Sequence, residues 1–263
     1  MNDSTGMILC GRRGSFAVVT INREAEENAL DLAALRELTQ GFSELKSDDG
    51  VRAVILTGAG DQSFSTGAEV EAMSALAPDQ ANEFARAWQA LAILIEDLGK
   101  PVIAAVNGSA YGGGCDLALA CTFRVAAANA KFGYPEVSLG VSPGFGVTTG
   151  LPRLIGKARA LEMILIGEAI DAEEALRIGL INRVAQDRNE LTAVCEELAM
   201  KIGRNAPLAI KYALEAVNHG SEVSLDEGLR LESALFGLCF ATEDVREGSR
   251  AFLEKRQPVF KGR

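Results

Sequence analysis

Residues 107–116 read Asn-Gly-Ser-Ala-Tyr-Gly-Gly-Gly-Cys-Asp, and their types and order could support chemistry at a carbonyl group. Glycine has no side chain, so three glycines in a row let a ligand approach bare backbone N–H groups. A helix-compatible run follows from Cys115. The N–H groups at a helix start are unpaired and lie at the positive end of its dipole. Such donors suit a developing oxyanion, and Asp116 would add an acid or base beside them.

The glycine run also has a purely structural interpretation, because glycines before a helix can simply permit a turn or close packing. It is not a dinucleotide fingerprint, since Leu117 and Ala118 occupy the region where the third glycine would fall. No Lys followed by Ser or Thr comes after it, so a P-loop is excluded as well.

Two further loops carry glycine and polar residues. Residues 62–70 form a glycine-bearing loop after a predicted strand, and residues 130–146 form a loop punctuated by Gly and Pro that contains Glu136. A lone glutamate in such a loop is usually solvated. Glu136 becomes a candidate acid or base only if the fold brings it to Asp116.

Composition excludes several classes of protein. The chain has 263 residues, 48% of them hydrophobic, and a net charge of −10. This charge argues against nucleic acid as a partner, because phosphate binding needs a basic surface. No apolar run approaches the ~18 residues of a membrane span. Residues 1–5 lack the basic and apolar regions of a signal peptide, so we expect a cytoplasmic protein that binds no membrane.

Cysteine and histidine usage argues against metal and histidine chemistry. The five cysteines form no CxxC pair, and His219 is the single histidine. We therefore expect reduced thiols and no zinc site. With His219 placed near the end of a predicted helix, Ser-His-Asp and Cys-His catalysis have no base.

The hydrophobic pattern alternates between strands and helices in the first half. Strands are predicted at residues 16–21, 52–57, 102–106 and 122–127, and helices at 31–45 and 80–98. After about residue 145 the pattern is almost entirely helical, with helices at 157–166, 171–178, 188–204, 207–218, 224–240 and 242–256. Near-continuous apolar strands between helices indicate an α/β layer with both faces covered.

The three loops together resemble the crotonase (enoyl-CoA hydratase/isomerase) superfamily, over nearly the whole chain. The motifs that carry the resemblance are Ile21-Asn22-Arg23, Asn28-Ala29-Leu30, Phe-x-x-Gly-Ala at 64–68, Gly-Gly-Gly-Cys-Asp at 112–116, Phe-Gly-x-Pro-Glu at 132–136, Pro-Gly-x-Gly at 143–146 and Ala-Phe-Leu-Glu-Lys-Arg at 251–256.

This resemblance implies a spiral of ββα turns followed by a C-terminal helical region that drives formation of a homotrimer or homohexamer. We place the core with the acyl-CoA site at residues 1–200 and the helical region, packing against a neighbouring subunit, at 201–263. The implied ligand is an acyl-CoA thioester, with its oxygen between the amides of Ala68 and Gly113. No metal or other cofactor is expected, because coenzyme A belongs to the substrate.

The resemblance assigns the chemistry to carboxylates at 116 and 136. In a hydratase, Asp116 would handle the water that attacks C3 and Glu136 would handle the C2 proton. The family's glutamate is replaced by Asp116, which withdraws the carboxylate by roughly 1.5 Å, one C–C bond. A Δ3,Δ2-enoyl-CoA isomerase that uses Glu136 alone is the first alternative. A non-catalytic acyl-CoA binder is the second.

Other positions also depart from the family pattern. The acidic stretch 24–27 replaces a basic contact to the CoA phosphates, and Phe145 with the altered residues 146–151 would reshape the acyl pocket. Phe252 and Lys255 match residues that approach the nucleotide part of CoA, often across a subunit contact. Their ordinary alternatives are a phenylalanine that anchors the last helix and a surface lysine.

Overall fold

A computed structural model describes residues 6–263 of the chain. Residues 1–5, whose composition argues against a signal peptide, lie outside the described residues. The described part forms ten β-strands and eleven α-helices. The strands are β1 Ile8–Arg13, β2 Phe16–Ile21, β3 Ala53–Gly58, β4 Ser63–Ser65, β5 Val102–Val106, β6 Ser109–Tyr111, β7 Phe123–Ala127, β8 Lys131–Gly133, β9 Ile170–Asp171 and β10 Arg183–Ala185.

The helices follow the predicted pattern closely, because their apolar residues recur at helical spacing. They are α1 Leu32–Ser47, α2 Val70–Ser74, α3 Pro78–Glu96, α4 Gly113–Ala120, α5 Val147–Ile155, α6 Lys157–Ile166, α7 Ala172–Arg177, α8 Arg188–Gly203, α9 Pro207–Gly220, α10 Leu225–Cys239 and α11 Glu243–Glu254. Asp31 caps α1 as expected, since its side chain accepts a hydrogen bond from the Ala34 amide at 2.8 Å.

The strands form two sheets. The larger has the order β1-β2-β3-β5-β7-β10, and the smaller has the order β4-β6-β8-β9. The chain alternates between the sheets in three successive strand pairs, which are β3-β4, β5-β6 and β7-β8. In each pair the first strand belongs to the larger sheet and the second to the smaller. Neighbouring turns pair in parallel, β3 with β5 and β4 with β6. This repeat is the spiral that the resemblance implied, and the α/β fold class is confirmed.

The larger sheet is covered on both faces, as its apolar strands predicted. All five residues of β5 are buried. One face of the sheet packs into the main core, while Ile55 and Ile103 on the other face pack with Leu191 and Ala199 of α8. Burial on both faces explains why the strands are continuously apolar rather than alternating.

The structure differs from the predicted pattern in several details, and it adds strand β1 and helix α2, which were not predicted. Helix α4 begins inside the glycine run, at Gly113, rather than after it. The short strands of the smaller sheet were not predicted, because two or three residues carry too little periodicity. Strand β10 lies in the section that was predicted as almost entirely helical, and it completes the larger sheet beside β7.

Helices α9 to α11 form the C-terminal region and present many apolar side chains to solvent. Exposed large residues of this region include Leu225, Leu229, Phe236, Phe240, Phe252 and Leu253. Over residues 6–263, none of the helices combines the length and the apolarity that crossing a membrane requires.

Candidate active site

Two glycine-bearing loops meet at the start of α4. Gly67, in the loop after β4, has a φ of +86°, which favours glycine over residues with side chains. A Cβ atom built on Gly67 would lie 2.6 Å from the amide nitrogen of Gly113. The absence of a side chain therefore allows the two loops to touch.

The amides of Ala68 and Gly113 lie on either side of this contact. Leu30 pairs with the neighbours of Ala68, because its amide donates to Gly67 O at 2.7 Å and its carbonyl accepts from Glu69 N at 3.4 Å. This arrangement leaves the Ala68 N–H unused. Gly113 is the first residue of α4, so its N–H has no partner within the helix. Neither amide donates to an acceptor within residues 6–263.

A buried hydrogen-bond network holds the Gly67 loop in place. Asn28 is 1% exposed, and its side-chain amide donates to the carbonyls of Ala59 at 2.9 Å and Ser63 at 2.7 Å. The Ser65 hydroxyl donates to Asn28 O at 2.8 Å and accepts from Gly67 N at 3.1 Å. Because these partners are fixed, the backbone that carries Ala68 is held before any ligand arrives.

Arg23 secures the other end of the same loop. Its guanidinium donates to Ala29 O at 2.6 Å and to Glu69 Oε1 at 2.7 Å. Glu69 directly follows Ala68 in the chain. The acidic residues after Arg23 form a short 3₁₀ turn, Glu24–Glu26. The Arg23 side chain is therefore committed to the loop through these protein contacts.

Asp116 lies in the first turn of α4 and is 5% exposed. Its amide donates to Gly112 O at 3.0 Å, which places it one turn after the glycine that caps the helix. Neither carboxylate oxygen has a partner at ordinary hydrogen-bond geometry among the described residues, although the Val147 amide is near enough to favour the charged form. A buried carboxylate without donors is unfavourable in its charged form. Carboxyl groups perturbed in this way cluster at functional sites.

Glu136 approaches the same glycine run from the loop after β8. A Cβ atom built on Gly112 would lie 2.8 Å from Glu136 Oε1. Glu136 is half-buried, and its Oε2 atom is buried without a partner in the described part of the chain. The alternative of a solvated loop acid is wrong, because the fold places this carboxyl group against the start of α4.

Burial shifts both carboxyl groups toward their neutral forms. Desolvation, followed by repulsion from Glu136, raises the pKa of Asp116 well above its ordinary value, while the Val147 amide acts in the opposite direction. Burial also raises the pKa of Glu136, against the effect of its own backbone amide. These directions suit acid–base work near neutral pH better than an ordinary carboxyl would.

Cys115 and Tyr134 lie beside the carboxyl groups and were not predicted. Burial raises the pKa of Cys115 to about 12, so the group remains a thiol at neutral pH and is no nucleophile. Tyr134 is fully buried, and this burial raises the pKa of its hydroxyl well above the ordinary value. No sequence pattern distinguishes these two residues from ordinary core positions.

An aromatic cluster on the other side of Gly113 was also missed, apart from Phe145. Trp88 stacks on Phe145 with ring centroids 4.7 Å apart and an interplanar angle of 8°. Phe84 meets the edges of both rings, at 6.4 Å and 5.8 Å. The spacing of Phe84 and Trp88 on α3 predicts a shared face of that helix, but it does not reveal what the face contacts.

Phe252 and Lys255 lie at the end of α11. Phe252 is 83% exposed, so it does not anchor the last helix to its own chain, and that alternative is wrong. Lys255 is exposed at the C-cap of α11, with a φ of +54°. Their predicted contact with the nucleotide part of CoA stays a prediction, and so do the roles assigned to Ala68, Gly113, Asp116 and Glu136.

Comparison with known proteins identifies the family of the chain. Residues 11–263 match the family described as Enoyl-CoA hydratase/isomerase. A short-chain-enoyl-CoA hydratase of Clostridium acetobutylicum is 44% identical over 250 residues, which cover 95% of each chain. A crotonyl-CoA hydratase of Syntrophomonas wolfei is 44% identical over 253 residues, covering 96% of this chain and 97% of that protein.

A solved structure has the same fold. The crystal structure of an enoyl-CoA hydratase from Bacillus anthracis has a TM-score of 0.95 and 38% sequence identity, and covers 98% of this chain and 100% of its own. The chain belongs to the enoyl-CoA hydratase/isomerase family. The predicted family is therefore confirmed.

Proposed function

We propose that the protein is a hydro-lyase that adds water across the C2–C3 double bond of a 2-enoyl-CoA thioester, or removes it in reverse. The observation that carries this proposal is the meeting of two unpartnered amides, Ala68 and Gly113, beside the carboxyl groups of Asp116 and Glu136. The names of the two relatives and of the structural neighbour support it.

The amides would hold the thioester oxygen. When a nucleophile adds to C3, negative charge moves from the double bond onto this oxygen and forms an enolate-like state. Two fixed N–H donors stabilise that charge without reorganising, and one such donor is typically worth about 3 kcal/mol. The positive end of the α4 dipole adds to the effect at Gly113.

The two carboxyl groups would move the protons. The step occurs in the fraction of molecules in which Asp116 is charged and Glu136 is neutral. In that fraction Asp116 accepts a proton from the water whose oxygen bonds to C3, and Glu136 gives a proton to C2. The pair takes up one proton and releases one. It returns to its starting protonation state when Asp116 loses a proton to solvent and Glu136 gains one. No metal or redox cofactor belongs to this proposal, since adding water involves no net oxidation.

The raised pKa of Asp116 sets the pH dependence of this scheme. A base acts only when charged, so hydration should slow as the pH falls through that raised pKa. On the acid side of the pH profile, activity should therefore fall at a higher pH than the ordinary pKa of an aspartate would give. A flat profile between pH 5 and pH 9 would contradict the assignment.

A Δ3,Δ2-enoyl-CoA isomerase is the second candidate, and one observation favours it. Asp116 is 5% exposed while Glu136 is only half-buried, so Glu136 is the more accessible of the two carboxyl groups. An isomerase needs one such group to take a proton from C2 and return it to C4. In that case Asp116 would serve the structure rather than the reaction.

A set of assays separates these functions. We expect crotonyl-CoA to lose its enoyl absorbance with the wild-type protein. Glu136→Gln and Asp116→Asn should each lower kcat/KM by roughly 100-fold to 10,000-fold. Asp49→Asn, which changes an exposed aspartate, is the control. Isomerisation is assayed in parallel with a 3-enoyl-CoA.

The outcomes differ for each candidate. Turnover of the 3-enoyl-CoA that survives Asp116→Asn, with no hydration of crotonyl-CoA, would replace the hydratase by the isomerase. Tight binding of acyl-CoA without turnover of either substrate would indicate a non-catalytic binder. Full hydration activity in Glu136→Gln would overturn the proposed role of that residue.

The proposal extends to assembly. The exposed apolar residues of α10 and α11, including Phe236 and Phe252, form a surface that water does not favour. We propose that three copies, or two such trimers, cover it with each other. Phe252 and Lys255 would then reach the nucleotide part of a CoA bound to a neighbouring copy.

A further inference from the structure

Arg124, the second residue of β7, has a buried guanidinium group. It is 7% exposed, although arginine stays charged in proteins and is seldom buried without a partner. Over residues 6–263 it forms no salt bridge. The ionisable groups that act on it are the Cys115 and Cys121 thiols and the Tyr134 hydroxyl. Burial raises the pKa of all three, so they are neutral at neutral pH.

The guanidinium group instead binds carbonyl groups at the C-terminal end of α4. Its Nη1 atom donates to Cys121 O at 2.6 Å and, at longer distances of 3.3 Å and 3.4 Å, to Leu119 O and Ala118 O. Carbonyl groups at a helix end lack intrahelical donors and form the negative end of the helix dipole. Helix α4 has no basic residue in its own last turn, so Arg124 supplies the positive charge there from a neighbouring strand.

Three further hydrogen bonds fix Arg124. Its Nε atom donates to Leu180 O at 2.7 Å. Its backbone amide donates to Asn182 Oδ1 at 2.8 Å, and its carbonyl oxygen accepts from the Asn182 amide at 2.8 Å. Because both its backbone and its side chain are anchored, the charge keeps its position relative to α4 before any ligand binds.

The opposite end of α4 is the one that would hold the substrate oxygen. The helix has eight residues, so at 1.5 Å per residue its ends are about 12 Å apart. Cys115, Leu117 and Ala118 between those ends are buried, and water therefore screens the field along the helix only weakly. A positive charge that offsets the negative end of α4 makes the potential at Gly113 more positive.

We infer that Arg124 is a positioning residue that acts through α4: it holds the end of the helix and offsets the negative end of its dipole, so that the Gly113 amide stabilises an anionic thioester oxygen more strongly. This inference rests on the proposed function, because that function places the oxygen at Gly113. A unit charge about 15 Å away, at an effective dielectric constant of about 20, changes an equilibrium constant roughly threefold to tenfold. The effect applies to the enolate-like state and not to the neutral substrate, so it should change kcat rather than KM.

The test measures how readily a bound thioester becomes an enolate. Acetoacetyl-CoA loses a proton from C2, and its enolate absorbs in the near ultraviolet, so spectra give the pH at which half of the bound ligand is ionised. We expect Arg124→Gln, which keeps a hydrogen-bond donor but no charge, to raise this pH by about 0.5 to 1 unit. It should also lower kcat for crotonyl-CoA about threefold to tenfold and leave KM within about twofold.

Two further variants frame this result. Arg124→Lys keeps the charge and should keep the wild-type pH of half-ionisation. Arg52→Gln is the matched control, because the Arg52 guanidinium donates to Gly203 O at 3.1 Å, at the end of α8, and to Phe260 O at 2.8 Å. Helix α8 packs on the opposite face of the larger sheet from α4. Arg52→Gln should therefore lower the free energy of unfolding without changing the pH of half-ionisation.

A purely structural role for Arg124 gives a different outcome. Loss of folded protein lowers the amount of bound ligand, but it does not change the pH at which the bound ligand ionises. An equal pH in wild type and Arg124→Gln would overturn the inference. If the Arg124 variants do not fold, Ala120→Glu decides, since it adds a negative charge in the last turn of α4, at a half-buried position. It should raise the pH of half-ionisation, and an unchanged value would overturn the inference.

Failure of the proposed function is distinguishable from failure of this inference. If wild type hydrates no enoyl-CoA but ionises bound acetoacetyl-CoA at a lower pH than the free thioester, and Arg124→Gln raises that pH, the role of Arg124 stands although the reaction is wrong. If wild type hydrates crotonyl-CoA and Arg124→Gln leaves the pH unchanged, the reaction stands and the role of Arg124 is wrong. Wild-type protein that does not bind acetoacetyl-CoA, or does not lower its pH of ionisation, overturns the inference as well.

Discussion

At the scale of single residues, Asp116 has the most unusual environment. Its carboxylate is buried, neither oxygen has a donor at ordinary hydrogen-bond geometry within residues 6–263, and Glu136 lies close enough to repel its charge. Structural carboxylates in protein cores are normally paired or hydrogen-bonded. A carboxyl group that the protein leaves unsatisfied is available to a ligand, which is what a base acting on bound water requires.

The raised pKa of Asp116 has a consequence for stability. The ordinary pKa of the group is 3.8, so above that pH the unfolded chain releases its proton while the folded chain retains it. The folded state therefore loses stability as the pH rises from there through the raised pKa. Each unit of difference between the two pKa values corresponds to about 1.4 kcal/mol.

Asp116→Asn removes this penalty, because asparagine does not titrate. We expect the free energy of unfolding of Asp116→Asn, relative to that of wild type, to be larger at pH 8 than at pH 4, so the variant gains relative stability as the pH rises. Urea denaturation at the two pH values measures the difference, with Asp49→Asn as the control. A relative stability that is equal at both pH values would contradict the predicted shift.

At the scale of elements, the site depends on where two loops and one helix start meet. Strand β4 leads into the Gly67 loop, and β6 leads into Gly113 at the start of α4. Because β4 and β6 are parallel neighbours, their carboxyl ends lie at the same edge of the smaller sheet. This pairing places the Ala68 and Gly113 amides together, although they are 45 residues apart in the sequence.

Gly67→Ala tests this contact. The new Cβ atom would lie 2.6 Å from Gly113 N, so it would displace one of the two donors. We expect kcat/KM for crotonyl-CoA to fall about 100-fold or more. Gly14→Ala is the control, since Gly14 also has a positive φ of +63° but a Cβ atom there meets nothing within 4 Å. If both variants lost activity equally, backbone strain alone would explain the loss, and the predicted role of the Gly67–Gly113 contact would be wrong.

At the scale of the complete chain, the spiral and the C-terminal helices differ in how they bury their apolar residues. The spiral stacks its turns so that the three loops converge, whereas α9 to α11 bury few of their own apolar residues. Phe236 and Phe240 are 66% and 57% exposed, and their rings pack edge to face at 5.1 Å. An exposed aromatic pair of this kind favours association with another protein surface.

We expect the mass in solution to be at least three times that of the 27.8 kDa chain. Light scattering coupled to size-exclusion chromatography measures it. Phe236→Glu should lower the mass toward that of a single chain, because it buries a charge in the proposed interface. Ile93→Glu, at an exposed apolar residue of α3, should not. A wild-type protein that elutes as a single chain would exclude the proposed trimer.

Residue order alone was enough to predict the long elements and the candidate chemistry. Helical spacing predicted α1, α3 and the helices from 157 onward, because a long periodic pattern must bury one face. Continuous apolar runs predicted β3 and β5. The glycine run and the loop motifs indicated the family, and through it Asp116 and Glu136, because such motifs consist of neighbouring residues in the chain.

How these parts meet depends on the folded chain. The three-residue strands of the smaller sheet form because parallel neighbours supply their hydrogen bonds, and no local pattern records that. The unsatisfied Asp116 carboxylate and the contact of Trp88 with Gly113 depend on residues distant in the chain. Burial and hydrogen bonding are properties of the surroundings of a residue, and those surroundings exist only once the spiral has closed.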